Sequence, residues 1–142
     1  MTRLAVAASS MLVFGVCAAQ NVPALRVFQS VQARQGEWRV DLLEAPGLAR
    51  DATRPSRSVC ADDPLTAITY EERPNTCKHR VAKDMADQAV RETVCAHYTS
   101  TSRLTREGKS VLAQITVLGP DGKDVTKWRF TALGPCRGGK GA

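Results

Sequence analysis

The sequence predicts a mainly all-β protein: a single antiparallel meander of about seven strands, curled into a half-barrel or sandwich, with one short helix. Three observations carry that expectation. Stretches of alternating apolar and polar residues recur from position 36 onward, and a period of two belongs to a strand with one buried face. Short segments rich in Gly, Pro and Asp separate them, which is the chemistry of tight turns. After position 19 the aromatic complement is only Phe28, Trp38, Tyr70, Tyr98, Trp128 and Phe130. So thin a core is what disulfides reinforce in exported domains, and it leaves little apolar material beyond what fills the core itself.

Taken in order, residues 20–34 read as a linker or a short helix, because Ala24, Leu25, Phe28 and Val31 recur at helical spacing. The β domain is expected over 35–136. Trp38, Val40 and Leu42 alternate with Glu37, Arg39 and Asp41 in its first strand, which Pro46-Gly47 ends. A short second strand covers 57–60. Asp62-Asp63-Pro64 then offers an acidic cap with Pro in the first turn, and Leu65-Thr66-Ala67-Ile68 is the brief helical body. Two arms around Cys77 and Cys95 form a hairpin over the polar stretch 84–88. Thr99 to Thr105 precedes the turn Glu107-Gly108-Lys109. Val111, Ala113, Ile115 and Val117 share one face of the next strand. Pro120-Asp121-Gly122-Lys123 is a second turn, with a Gly able to take positive φ. The last strand puts Thr126, Trp128 and Phe130 on one face. Residues 137–142, rich in Gly, are a disordered tail.

The first 19 residues have the make-up of a signal peptide. Arg3 supplies the positive start, Leu4 to Ala19 carries no charge, and small residues precede Gln20-Asn21. The competing readings are a membrane anchor, for which the apolar stretch is short, and lipidation at Cys17, for which Val16 is too large. Past this leader no run of about 18 apolar residues occurs, so the mature chain is expected to have no transmembrane segment. The predicted location is periplasmic or secreted, at the cell envelope. Removing the leader takes Cys17 and leaves four of the five cysteines.

An even count behind an export signal implies two disulfides with three connectivities. If Cys77 opposes Cys95, the midpoint falls at Ala86, inside the predicted turn, and Arg80 comes opposite Glu92, a favourable cross-strand pair. That agreement selects Cys77–Cys95 and leaves Cys60–Cys136. Cys77-Lys78-His79 and Cys95-Ala96-His97 repeat a Cys-x-His pattern, but paired zinc ligands in the common modules are separated by two to four residues, so no metal is assigned.

The ordered set of pieces resembles a bacterial family of exported proteins, domain-of-unknown-function family 3617. Gly36-Glu37-Trp38-Arg39-Val40 is similar to its opening Gly-x-Trp strand. Cys60-Ala61-Asp62-Asp63-Pro64 is similar to its cysteine followed by an acidic, Pro-containing segment. Cys77 and Cys95 flank a hairpin, a Thr/Ser-rich meander follows, and Cys136 closes the domain. The resemblance covers about residues 35–136. It implies an exported, disulfide-bonded, mainly antiparallel β fold and no particular activity.

A chain of 142 residues holds about one domain, which excludes an enzyme with separate cofactor and substrate modules. No Gly-x-Ser-x-Gly elbow and no phosphate-binding Gly-rich loop are present. Asp62-Asp63 and Glu71-Glu72 are sequence neighbours and so poor acid/base partners. We therefore expect no enzyme activity, no catalytic residues and no cofactor. With 20 Lys and Arg against 14 Asp and Glu, the net charge is +6. Arg50, Arg54 and Arg57 crowd one segment, and Arg103, Arg106 and Lys109 sit near a turn; clustered at one end of the sheet, they would form a basic rim for anions. The expected function is non-catalytic binding of an anionic or apolar envelope component by a monomer, without nucleic acid. The alternatives are an inhibitor or accessory protein that binds another exported protein, and a weak hydrolase.

Overall fold

The computed structural model describes residues 23–69 and 76–137. The leader at 1–19, Tyr70, the Glu71-Glu72 pair and the tail beyond Arg137 lie outside them. Helix α1 spans Arg26–Val31, β1 Gly36–Glu44, β2 Ser56–Ala61, a 3-10 helix Pro64–Ala67, β3 Lys78–Asp84, β4 Gln88–Val94, β5 Thr99–Glu107, β6 Ser110–Gly119 and β7 Gly122–Gly134.

The seven strands form one antiparallel sheet in the order β2-β1-β7-β6-β5-β4-β3, and it is not closed. The run β3 to β7 is an unbroken meander, and the β1–β2 hairpin adds to its β7 side. β2 and β3 lie at opposite edges, and the described residues that follow β2, up to Thr69, form a strap. This strap carries the 3-10 helix over the inner face. Asp63 caps it as the sequence predicts: its Oδ1 accepts from the Leu65 N–H at 3.0 Å, and Pro64 occupies the first turn.

At one end of the inner face α1 completes the core. Six residues are too few for an isolated helix, and Leu25 gives it no side-chain cap. Packing supplies the stability. Phe28 is fully buried, with ring centroids 5.5 Å from Trp38 and 5.4 Å from Phe130, both edge-on. Val40, Leu104, Val111, Ala113 and Ala89 lie in the same cluster. Hydrogen bonds fix the ends. The Arg26 N–H donates to Asp84 Oδ1 at 2.7 Å, Ser30 Oγ donates to the Ala86 carbonyl at 2.6 Å, and the Gly134 N–H donates to Gln32 Oε1 at 3.1 Å. At Gly36 a Cβ would stand 1.8 Å from Gln32 Nε2, so a larger residue there would have to displace the Gln32 side chain.

Both disulfides have the connectivity read from the sequence: Cys60–Cys136, 76 residues apart, and Cys77–Cys95, 18 apart. The hairpin register Lys78↔Val94, His79↔Thr93 and Arg80↔Glu92 follows from Cys77 opposing Cys95, and Arg80 Nε reaches Glu92 Oε2 at 2.9 Å. A bulge between Val81 and Lys83 then shifts the pairing by one residue. Every residue of this edge strand is exposed; the bulge together with Lys78, Arg80 and Lys83 discourages addition of a foreign strand.

Candidate functional site: a cavity on the inner face

The helix fills only one end of the inner face. The register shows what lies toward the other end. Above Ala89, Leu104 and Ala113 comes the cross-strand row Arg91, Ser102, Ile115 and Thr126, and above that the row His79, Thr93, Ser100 and Val117. On β4 and β5 the inward positions of these rows, apart from Arg91, hold short hydroxyl side chains where the core end holds apolar ones. Short side chains cannot reach the strap, and the sheet curls around the space they leave. The result is a cavity of about 350 Å3, bounded by β3 to β7 and by Ile68 and Thr69 of the strap. Its volume falls at the lower end of small-molecule sites, about 300–1,000 Å3. Ile115 belongs to the core cluster, and Ile68, Val117 and Trp128, partly buried, pack against that cluster while also facing this space.

The lining divides in two. Ile115 and Val117 of β6, Trp128 of β7 and Ile68 of the strap make an apolar wall, while His79, Thr93 and Ser100 make a polar wall on the β3–β5 side, with Tyr98 beside it; Thr126 of β7 and Thr69 of the strap also line the space. Several polar groups are held in place. His79 Nδ1 and Thr93 Oγ1 are 3.0 Å apart, and Trp128 Nε1 donates to Thr126 Oγ1 at 3.0 Å. Ser100 is 8% exposed and makes no side-chain hydrogen bond among the described residues.

Between core and cavity sits a buried ion pair. Arg91 and Asp63 have side chains 5% and 6% exposed, and Arg91 Nη2 donates to Asp63 Oδ2 and, at 3.4 Å, to the Pro23 carbonyl. Asp63 thus ties the strap to the centre of β4 while capping the 3-10 helix. A larger depression of about 620 Å3 on the other side of the strap is polar, lined by Gln29, Gln32, Arg34 and Asp62 among others.

The basic residues singled out in the sequence do not come together. Arg50 and Arg54 occupy the β1–β2 loop, whereas Arg106 and Lys109 flank the β5–β6 turn at the opposite end of the sheet. Arg57 shares the inner face with Val40, and Arg103, paired with Val90 and Gln114, faces outward. Three of the guanidiniums are engaged by carbonyls: Arg54 by Leu43 and Arg50, Arg57 by Ala67, and Arg106 by Gly108. Of the two Cys-x-His pairs, His79 lies on β3 and His97 in the β4–β5 turn, and their cysteines are bonded to each other. Among the described residues no group of three or more His, Cys, Asp and Glu side chains converges as a metal site would need. Nor is any helix among them long and apolar enough to cross a membrane.

The residues that line the cavity were not marked as a site in the sequence. Trp128 reads there as core, and His79 as a surface strand residue. The available signal was the run of Ser and Thr at inward positions of β5, which leaves a face unfilled. No protein-family model, curated protein or solved structure matches this chain.

Proposed function

We propose that the protein is a non-catalytic carrier or sensor of a small, largely apolar molecule, held in the inner-face cavity and acting in the periplasm or outside the cell. The observation that supports this is the apolar wall of Ile115, Val117, Trp128 and Ile68 lining an open space of about 350 Å3. Apolar surface left in contact with water beside a thin core is costly, and a ligand that covers it recovers that energy. The apolar branch of the expected function is favoured over the anionic one, because the six candidate basic residues are divided between two ends and two faces of the sheet. Two disulfides are compatible with the proposed compartment.

Tryptophan emission tests the reading. Trp128 lines the cavity, whereas Trp38 is sealed in the core at 1% exposure. Titration of the disulfide-bonded protein with 1-decanol, in Trp38→Phe and Trp128→Phe backgrounds, should give a saturable change that requires Trp128. A change that is linear in ligand, or that survives Trp128→Phe undiminished, would contradict it.

A further inference from the structure

The cavity's polar wall says which apolar molecules fit. We infer that the ligand is a single-chain or single-ring amphiphile with an uncharged hydrogen-bonding head, a hydroxyl, carbonyl or amide. Its head meets Ser100 and Thr93 and its body lies along Ile115, Val117 and Trp128. This inference rests on the proposed binding function and narrows it to a ligand class.

Three observations carry it. First, His79, Thr93 and Ser100 occupy neighbouring positions of one cross-strand row. His79 Nδ1 meets Thr93 Oγ1 at 3.0 Å, which leaves the Ser100 hydroxyl, on a residue 8% exposed, as the group of this row with no side-chain hydrogen bond among the described residues. A wholly apolar ligand would leave the Ser100 hydroxyl unmet, and an unmet buried polar group is penalised. Second, no Lys, Arg, Asp or Glu is among the described lining residues; His79 and Tyr98 are the titratable groups there. The nearest buried cation, Arg91, is already paired with Asp63. An ionised head would have to shed water with no full countercharge beside it, which is far more costly than placing a hydroxyl there. Third, at about 30 Å3 for each water-sized group, the volume holds roughly a dozen methylene-sized units. That is one medium-length chain or a small ring system, and too little for a two-chain lipid.

The test uses the intact, disulfide-bonded protein and two probes of equal chain length, 1-decanol and decanoate, at pH 8, where decanoate is ionised. Affinities are read by Trp128 emission. 1-Decanol is expected to bind at least tenfold more tightly than decanoate. Ser100→Ala and Thr93→Val should each weaken 1-decanol by roughly tenfold while leaving decanoate within about twofold. Ser100→Ala removes one hydroxyl and little packing volume, so it serves as the readout if Thr93→Val does not fold. Equal or tighter binding of decanoate overturns the neutral head. Unchanged 1-decanol affinity in Ser100→Ala overturns its placement on this row. If neither probe binds, the cavity is not a binding site at all, and the proposed function fails with it.

Discussion

Asp63 does three things that the sequence shows only in part. It stands before Pro64, so its capping role follows from local chemistry alone. Its pairing with Arg91 joins positions 28 residues apart and depends on the strap crossing the sheet, which no local pattern encodes. Its burial follows from that pairing. An ion pair with both side chains about 5% exposed is expensive to break from one side. Asp63→Ala or Arg91→Met should each lower the unfolding free energy by about 3–5 kcal/mol, whereas Asp63→Leu combined with Arg91→Met should recover most of that loss. Urea unfolding of the three variants checks this, and additive single losses would show that the two residues act independently. The exposed pair Arg80–Glu92, at 73% and 35% exposure, makes the contrast. Arg80→Ala should cost less than about 1 kcal/mol. Gly36 was visible as a motif position, but the Gln32 side chain that packs over it and accepts from the Gly134 N–H was not.

At the scale of elements, the strands were legible because each shows its buried face in alternation. The β3–β4 hairpin was legible to the level of register because two cysteines and one charge pair fixed it. The bulge that displaces Ala82 was not, since nothing in the composition of Val81-Ala82-Lys83 distinguishes it from regular strand. Helix α1 is short, without a capping side chain, and held by Phe28; sequence could therefore offer only a choice between helix and linker. The two disulfides differ in the span they close. In the chain-entropy account, losing Cys60–Cys136 should cost about 4.5 kcal/mol and losing Cys77–Cys95 about 3 kcal/mol. Thermal melts of Cys60→Ser/Cys136→Ser and Cys77→Ser/Cys95→Ser should fall in that order. The second pair adjoins His79 and Thr93 by two residues on each strand, so its loss should also weaken ligand binding, and loss of the first should not.

At the scale of the whole molecule, the described residues make an open sheet with a helix over one end and a strap across its inner face. That arrangement divides the inner face into a sealed core and an unfilled cavity. Why the cavity escaped the sequence reading is a matter of volume: counting apolar residues tells how much core a chain can build, and says nothing of where a helix of six residues stops covering the sheet. The basic rim failed to assemble for a related reason, because in an antiparallel sheet alternate turns point to opposite ends. A ligand that binds only the folded state should raise its stability by about 2.7 kcal/mol at 100 times Kd. A thermal melt with excess 1-decanol should therefore shift upward by several degrees. Val117→Trp, which places an indole in the cavity, should abolish that shift while leaving the melt of the free protein within a few degrees.

Methyl and indole NMR during a 1-decanol titration bears on the cavity most directly. The cavity account predicts saturable shifts at Ile68, Ile115, Val117 and the Trp128 indole, with Val40 and the Trp38 indole unmoved. Shifts that do not saturate, or that appear instead at the exposed Val81, Val94 and Leu118, would show that the molecule associates with the protein's surface and that the inner face binds nothing.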